Sequence, residues 1–372
     1  MGDLVMFNNI YEDKKVLITG HTGFKGSWLT TWLLKLGADV IGVSKDVPTT
    51  PAMFNELKLK DKIKHYQADL RDLEITKSIL ADEKPDFLFH LAAQAIVSES
   101  YEFPIDTISS NVMGTANILE ALKTTNHKCV AVIITSDKAY DNVEQVWGYK
   151  EDDKMGGKDI YSGSKGAAEH IIKSYYHSFF KQKDSNIKLA IGRAGNVIGG
   201  GDWAKDRIVV DCMTAWSRGC SVEIRSPNAT RPWQHVLEPL SGYLSLGLAL
   251  YQNNKFHGEA FNFGPMAEQN HTVKQLLEDL SKSWCFAKFE DAFTITDDIP
   301  FHEAGLLKLN CDKALSQLKW QATLQYQQTI RFTSEWYFSF YKKGAGIIYD
   351  ETVMQIEEYE NIAINNKRQW TE

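Results

Sequence analysis

Three glycines, Gly20, Gly23 and Gly26, lie between an apolar run and a helical pattern, and they constrain this chain more than any other feature. Glycine permits a tight turn, lets backbone approach a pyrophosphate and allows a helix to pack closely on a strand. A helix opening there offers unpaired N–H groups and the positive end of its dipole to an anion. A glycine trio alone is weak, but within a strand-turn-helix unit it points to a dinucleotide site, with a purely structural turn as the alternative. Thr22, Phe24 and Lys25 complete that turn. Lys25 either contacts phosphate or is a solvated first-turn lysine.

Short apolar runs alternate with helical patterns through the first half, as in a parallel sheet with crossover helices. Strands are expected at 15–19, 39–43, 63–67, 87–90, 129–135 and 187–193, and helices near 25–36, 74–81, 105–123 and 164–181. Gly37 is placed to end the first helix. After Arg193 the pattern becomes irregular: helices are expected at 206–218, 239–251, 273–283, 329–341 and 354–359, a strand at 260–263, and a polar irregular segment at 225–233. The expected fold is α/β, a Rossmann-type doubly wound parallel sheet with a smaller C-terminal α/β substrate lobe built from insertions. Residues 1–195, with 234–264 returning, would form the dinucleotide-binding domain. Residues 196–233 and 265–345 would form the lobe, and 346–372 a helical tail.

A net charge of −7 without a basic stripe makes nucleic acid and anionic membrane poor partners. No stretch has the apolar length of a membrane span, and the start of the chain lacks a signal-peptide pattern. The five cysteines (Cys129, Cys212, Cys220, Cys285, Cys311) have no CxxC spacing, so free thiols in a reducing compartment, the cytoplasm, are expected, with no metal site.

An acid at the end of the second strand usually takes the ribose hydroxyls and favours NAD. Here that end reads Ser44, Lys45, Asp46, so Ser44 or Asp46 is the candidate, and the local residues do not exclude a 2′-phosphate. Asp69 and Leu70 end the third strand, where such folds hold adenine. Leu91, Ala92, Ala93 and Gln94 follow the fourth strand with small residues suited to a cofactor-lining loop.

Ser136, Asp137 and Lys138 close the fifth strand, and Tyr161 and Lys165 lie four apart on the next helix. That spacing puts phenol and ammonium on one face, so the ammonium is expected to lower the phenol's pKa and make it a proton acceptor. A Ser, an Asp and a second Lys beside that pair suggest redox chemistry with a further step added.

In this order and spacing the motifs resemble the nucleotide-sugar branch of the extended short-chain dehydrogenases/reductases. Within that branch, most 4,6-dehydratases carry Thr-Asp-Glu at the strand end. The triplet here, with segments 20–28, 48–51, 193–203 and 230–243, resembles the family of CDP-glucose 4,6-dehydratases, from about Lys15 into the 355–359 tail. The resemblance implies NAD as cofactor and CDP-glucose as substrate, losing water to a 4-keto-6-deoxy sugar. It also implies a downstream role in the deoxysugars of a surface polysaccharide such as the lipopolysaccharide O-antigen. Tyr161 would be the base, Lys165 would hold the nicotinamide ribose, Ser136 would orient the sugar hydroxyl and Asp137 would be the acid. Lys138, where relatives place a glutamate, would act as the base or remain charged and stabilise an enolate.

For the substrate, the matched segments supply Asn196, Arg207, Arg231 and His235, with Gln94 from the cofactor loop. Two guanidiniums suit a diphosphate through their planar forks of donors. Trp203, Trp233 and His235 either pack on the base or line the lobe. The resemblance further implies a homodimer or higher homo-oligomer through helices 105–123 and 164–181. Val112, Ile118, Leu119, Ile171, Ile172 and Tyr175 either serve that contact or pack on the sheet. The nearest rival is a 4,6-dehydratase or C4 epimerase for a different nucleotide hexose, and the Asp137–Lys138 pair favours dehydration over epimerisation.

Overall fold

Alternate side chains of each central strand enter different cores. In the computed structural model, which describes residues 5–182, 184–224, 226–266, 269, 271–284, 286, 288–296 and 306–372, Val16 and Ile18 of β1 (Lys15–Thr19) face one core while Leu17 faces the other. In β5 (Cys129–Ile134), Val130 and Val132 enter the first core and Ala131 and Ile133 the second. A period-two chain buried on both faces reads as a continuous apolar run.

The remaining strands of this sheet are β2 (Asp39–Ser44), β3 (Lys64–Gln67), β4 (Phe87–His90), β6 (Ile187–Ala194) and β7 (Ala260–Phe263). Their order is β7-β6-β5-β4-β1-β2-β3, and every pairing is parallel. The order reverses between β1 and β4, which opens a crevice at the carboxyl ends of those strands.

Helix α1 (Phe24–Lys35) leaves the glycine turn and ends as expected at Gly37, whose φ is +78°. The Gly37 N–H donates to Leu34 and that of Ala38 to Leu33, both at about 3 Å, a Schellman closure. Helix α2 (Leu73–Glu83) precedes β4. The single helix expected at 105–123 is broken: Pro104–Ile108 and α3 (Gly114–Lys123) flank a π turn at Ser109–Met113. Helix α4 (Ile160–Tyr175) begins four residues earlier than expected, because Asp159 caps it by accepting from the Ser162 N–H at 2.9 Å.

Beyond β6 lie α5 (Ile208–Ser217), α6 (Leu237–Gln252), α7 (Val273–Ser281), α8 (Tyr326–Lys343) and α9 (Ile348–Asn365). Short pairs, Val222–Ile224 with Phe293–Ile295 and Thr230–Arg231 with His271–Thr272, complete the lobe. Helix α9, much longer than expected, returns to α1: Trp32 Nε1 and Lys35 Nζ each donate to Glu360 at 2.8 Å. Cys129, Cys212, Cys220 and Cys311 are free thiols. Cys285 and Arg225 lie outside the described residues. Among the described residues no helix is long and apolar enough to cross a membrane.

Ile118, Leu119 and Ile172 are buried in the core of the sheet, and Ile171 and Tyr175 pack at its edge. Exposed apolar residues on these helices are instead Ile105, Ile108, Met113 and Phe179.

Candidate active site

The turn after β1 is tight enough that only glycine fits. A Cβ on Gly26 would stand 2.2 Å from the Gly20 carbonyl oxygen, and one on Gly20 would stand 2.8 Å from the Ala92 backbone. The first N–H groups of α1, at Phe24, Lys25 and Gly26, have no acceptor within the helix. This cradle fits a dinucleotide pyrophosphate.

His21 is buried under the turn, in space left by Gly42. Its Nε2 meets His65 Nδ1 at 2.8 Å and its Nδ1 meets Ser44 Oγ at 3.0 Å. Burial, reinforced by His65, pushes its pKa down to about 4, so the imidazole is neutral. Ser44 is thus engaged in supporting the turn. Asp46 contributes its carbonyl, which accepts from the Thr22 hydroxyl at 2.7 Å, while its carboxylate end is exposed.

The Asp69 carboxylate accepts from the Arg71 N–H at 3.0 Å and from its guanidinium, which also reaches Asp106. Those bonds hold its pKa below the ordinary carboxylate range. Next to it, the Leu70 carbonyl accepts from Asn117 Nδ2 at 2.9 Å. The loop after β4 is pinned at both ends: Leu91 N–H donates to the Thr19 carbonyl and Ala92 N–H to the Thr19 hydroxyl. The Gln94 N–H donates to Asn111 Oδ1 at 2.8 Å, Asn111 lying in the π turn, and Ala93 between them is half-buried.

Ser136 lies two residues beyond the end of β5 and caps a short 3-10 turn, Asp137–Ala139. Its hydroxyl donates to Asp137 Oδ1 at 3.0 Å and accepts from the backbone N–H of Lys138 at 3.2 Å. One serine thus ties the Asp137 side chain to the backbone of the turn, and Tyr161 lies within electrostatic reach of Ser136 and Asp137. Burial raises the Asp137 pKa, opposed by Lys138, the Ser136 bond and Lys25. Gly195 makes room for this carboxyl, since a Cβ there would lie 2.9 Å from Asp137 Oδ2.

The expected lowering of Tyr161 by Lys165 is not found. Burial dominates and pushes the phenol up to about 12, with Ser136 and Arg207 opposing it. The Lys165 ammonium stands over the ring, 5.7 Å from its centroid. Burial and the nearby Lys25 charge bring Lys165 itself down to about 8. Lys25 is likewise brought to about 8, by burial and Arg207, against the pull of Asp137 and Asp202. The half-buried Lys25 therefore belongs electrostatically to the reacting groups as well as to the turn.

On the lobe side Arg207 pairs with Asp202, and its charge reaches Tyr161. Asn196 is half-buried immediately after Gly195. Arg231 lies in the short pair with His271 and donates to the Thr230 carbonyl at 2.9 Å. His235 is a correction: it is fully buried between Trp28 and Phe332, its Nδ1 accepting from the Leu237 N–H at 3.4 Å. An imidazole enclosed by aromatic rings packs the core and has no access to substrate. Trp203, against Trp336, Tyr337 and Phe340, and the buried Trp233 also line the lobe.

Asn111, Tyr140 and Glu169 escaped the sequence reading, and Thr135 and Arg193 entered it only as the ends of strands and matched segments. The available signal was Glu169, which repeats the four-residue step from Tyr161 to Lys165 along α4.

Residues 17–333 match the family described as GDP-mannose 4,6 dehydratase. The chain is 44% identical to the CDP-glucose 4,6-dehydratase of Salmonella typhimurium over 333 residues, 88% of this chain and 92% of that protein. Among solved structures, the UDP-glucose 4-epimerase of Thermotoga maritima with UDP-glucose superposes with a TM-score of 0.73 at 23% identity, covering 87% of this chain and 98% of that one. The dTDP-glucose 4,6-dehydratase of Bacillus anthracis in complex with NAD superposes with a TM-score of 0.72 at 19% identity, covering 87% and 96%. Those two likenesses establish the shared fold.

Proposed function

The chain belongs to the GDP-mannose 4,6 dehydratase family, and from that premise we propose that it is an NAD-dependent hydro-lyase removing water from CDP-D-glucose to give CDP-4-keto-6-deoxy-D-glucose. The observation that carries this reading is the Ser136 hydroxyl, which donates to Asp137 Oδ1 and accepts from the backbone N–H of Lys138, with Tyr161 within electrostatic reach of Ser136 and Asp137. Identity to the Salmonella enzyme supports the nucleotide.

When bound, NAD supplies the acceptor and donor of hydride for the sugar. Gly20, Thr22, Gly23, Phe24, Lys25 and Gly26 would hold its pyrophosphate, Asp69 and Leu70 its adenine, and Leu91 to Gln94 with Lys165 its nicotinamide half. Tyr161 would take the proton of the C4 hydroxyl as its phenolate, the form that Ser136 and the Arg207 charge favour against burial. The ketone at C4 acidifies the C5 proton, which Lys138 removes and gives back to C5 once the hydride taken from C4 has been returned to C6. Asp137, whose raised pKa favours its protonated form, delivers a proton to the departing C6 oxygen. Asn196, Arg207 and Arg231 are assigned to the sugar nucleotide, the two guanidiniums to its diphosphate.

We assign residues 1–195 and 234–264 to the cofactor domain, 196–233 and 265–345 to the substrate lobe, and 346–372 to the tail. Four free thiols support a cytoplasmic setting. Exposed Ile105, Ile108, Met113 and Phe179 support a homodimer or larger homo-oligomer. The product would feed deoxysugar synthesis for a surface polysaccharide.

The test is incubation with NAD and each of CDP-, dTDP-, UDP- and GDP-glucose, reading the alkaline absorbance of a 4-keto-6-deoxy sugar. Product from CDP-glucose is expected. Product from another nucleotide alone overturns the substrate, and product from none overturns the reaction.

A further inference from the structure

The most deeply buried ion pair among the described residues joins β6 to the helix that carries Tyr161 and Lys165. Arg193, at the end of β6, and Glu169, on α4, are both fully buried. The guanidinium grips the carboxylate as a fork, Nε to Oε1 at 2.7 Å and Nη2 to Oε2 at 2.6 Å. Nη1 donates to the Tyr140 hydroxyl at 2.6 Å and to the Glu151 carbonyl at 3.0 Å. Glu169 Oε1 also accepts from the Thr135 hydroxyl at 2.6 Å. The Tyr140 hydroxyl donates onward to Asn262 Oδ1 at 2.8 Å, on β7.

Removing two charges from water costs more than their attraction commonly returns, so such a pair is poorly explained as a device for stability. Its connections offer another account. Thr135 precedes Ser136, and Tyr140 follows the turn that carries Asp137 and Lys138, so the pair holds that turn at both ends. Glu169 lies one helical step beyond Lys165, on the helix that carries Tyr161. The same four charged and hydroxyl side chains therefore tie the groups assigned to elimination to those assigned to oxidation.

We propose that Arg193 and Glu169 form a positioning pair that keeps the Asp137–Lys138 turn in register with Tyr161 and Lys165, so that dehydration follows oxidation before the oxidised sugar is lost. The proposal rests on the dehydratase reading. Misplacing a reacting group by about 1 Å costs on the order of 100-fold. Loss of either tether should therefore slow elimination while leaving the Tyr161 step largely intact.

The test uses the full-length enzyme with Tyr140→Phe and Thr135→Val, each removing one tether and keeping the ion pair, with Thr135→Ser as the rescue. The expected result in the first two is a kcat lower by roughly 10- to 100-fold at unchanged KM, with reduced nicotinamide accumulating after substrate is mixed in. Amide exchange measured on the protein without substrate should quicken at 136–140 and stay unchanged along 160–175. Thr135→Ser should restore parental behaviour. Parental turnover in both tether variants overturns the proposal, as does equal loss of oxidation and elimination with unchanged exchange at 136–140. A parent enzyme that makes no keto-deoxy sugar overturns the dehydratase reading instead, and the exchange result separates the two failures.

Discussion

The Ser136 hydroxyl donates to Asp137 Oδ1 at 3.0 Å. That bond sets the carboxyl proposed as the acid of the elimination against the serine proposed to orient the sugar hydroxyl. Burial raises the carboxyl's pKa, so Asp137 retains its proton to higher pH than an ordinary aspartate and loses it as pH rises through the shifted value.

Replacing Asp137 by Asn keeps the shape and removes the acid. The expected loss in kcat is on the order of 10²- to 10⁴-fold, with the fold intact by circular dichroism. A variant that turns over like the parent would exclude Asp137 as the acid.

Lys138→Ala should bind NAD as the parent does and form no keto-deoxy product. Equilibrium binding and end-point product assay check the two halves separately. Near-normal turnover removes the base from Lys138.

Gly195→Ala would set a Cβ 2.9 Å from Asp137 Oδ2 and displace the carboxyl. Turnover should fall by roughly tenfold or more, with little change in melting temperature. A methyl tolerated at full activity would mean that the carboxyl's position is not critical.

Three buried histidines should make the protein acid-sensitive. Burial holds His90 and His235 at about 3 and His21 at about 4, against 6.5 for the free imidazole. Because the folded pKa values are depressed, this stability is present above pH 6.5 and is lost as pH falls toward 3 to 4. By about pH 5 each histidine should cost about 2 kcal/mol. Glu238 works against this trend, since burial raises it to about 7 and its contribution grows as pH falls from there. Denaturant unfolding across this range should show a net loss on acidification, and His235→Gln should flatten it. A stability unchanged between pH 7 and 5 would contradict the assignment.

The parts of the site that could be read from the chain are those held by short spacing. Gly20 to Gly26, Ser136 to Lys138 and Tyr161 with Lys165 each occupy one turn or one helix face, and their chemistry follows from that spacing. The parallel sheet was legible for a similar reason, since strands buried on both faces, such as β5, appear as uninterrupted apolar runs. His235 was misread because a lone histidine carries no periodic signal, and only the packed structure shows Trp28 and Phe332 around it. The ion pair was out of reach for another reason. Arg193 meets Glu169 from 24 residues away and Tyr140 from 53, and Tyr140 meets Asn262 from 122. The lowering of Tyr161 by Lys165 was expected from helix geometry alone, and burial outweighs it.

Dehydration with return of the C4 hydride to C6 is tested most directly with CDP-glucose carrying deuterium at C4. The account predicts a 4-keto-6-deoxy product with that deuterium in its C6 methyl group, located by NMR and mass spectrometry. Deuterium remaining at C4 of an epimerised sugar, or lost to the solution, would contradict it.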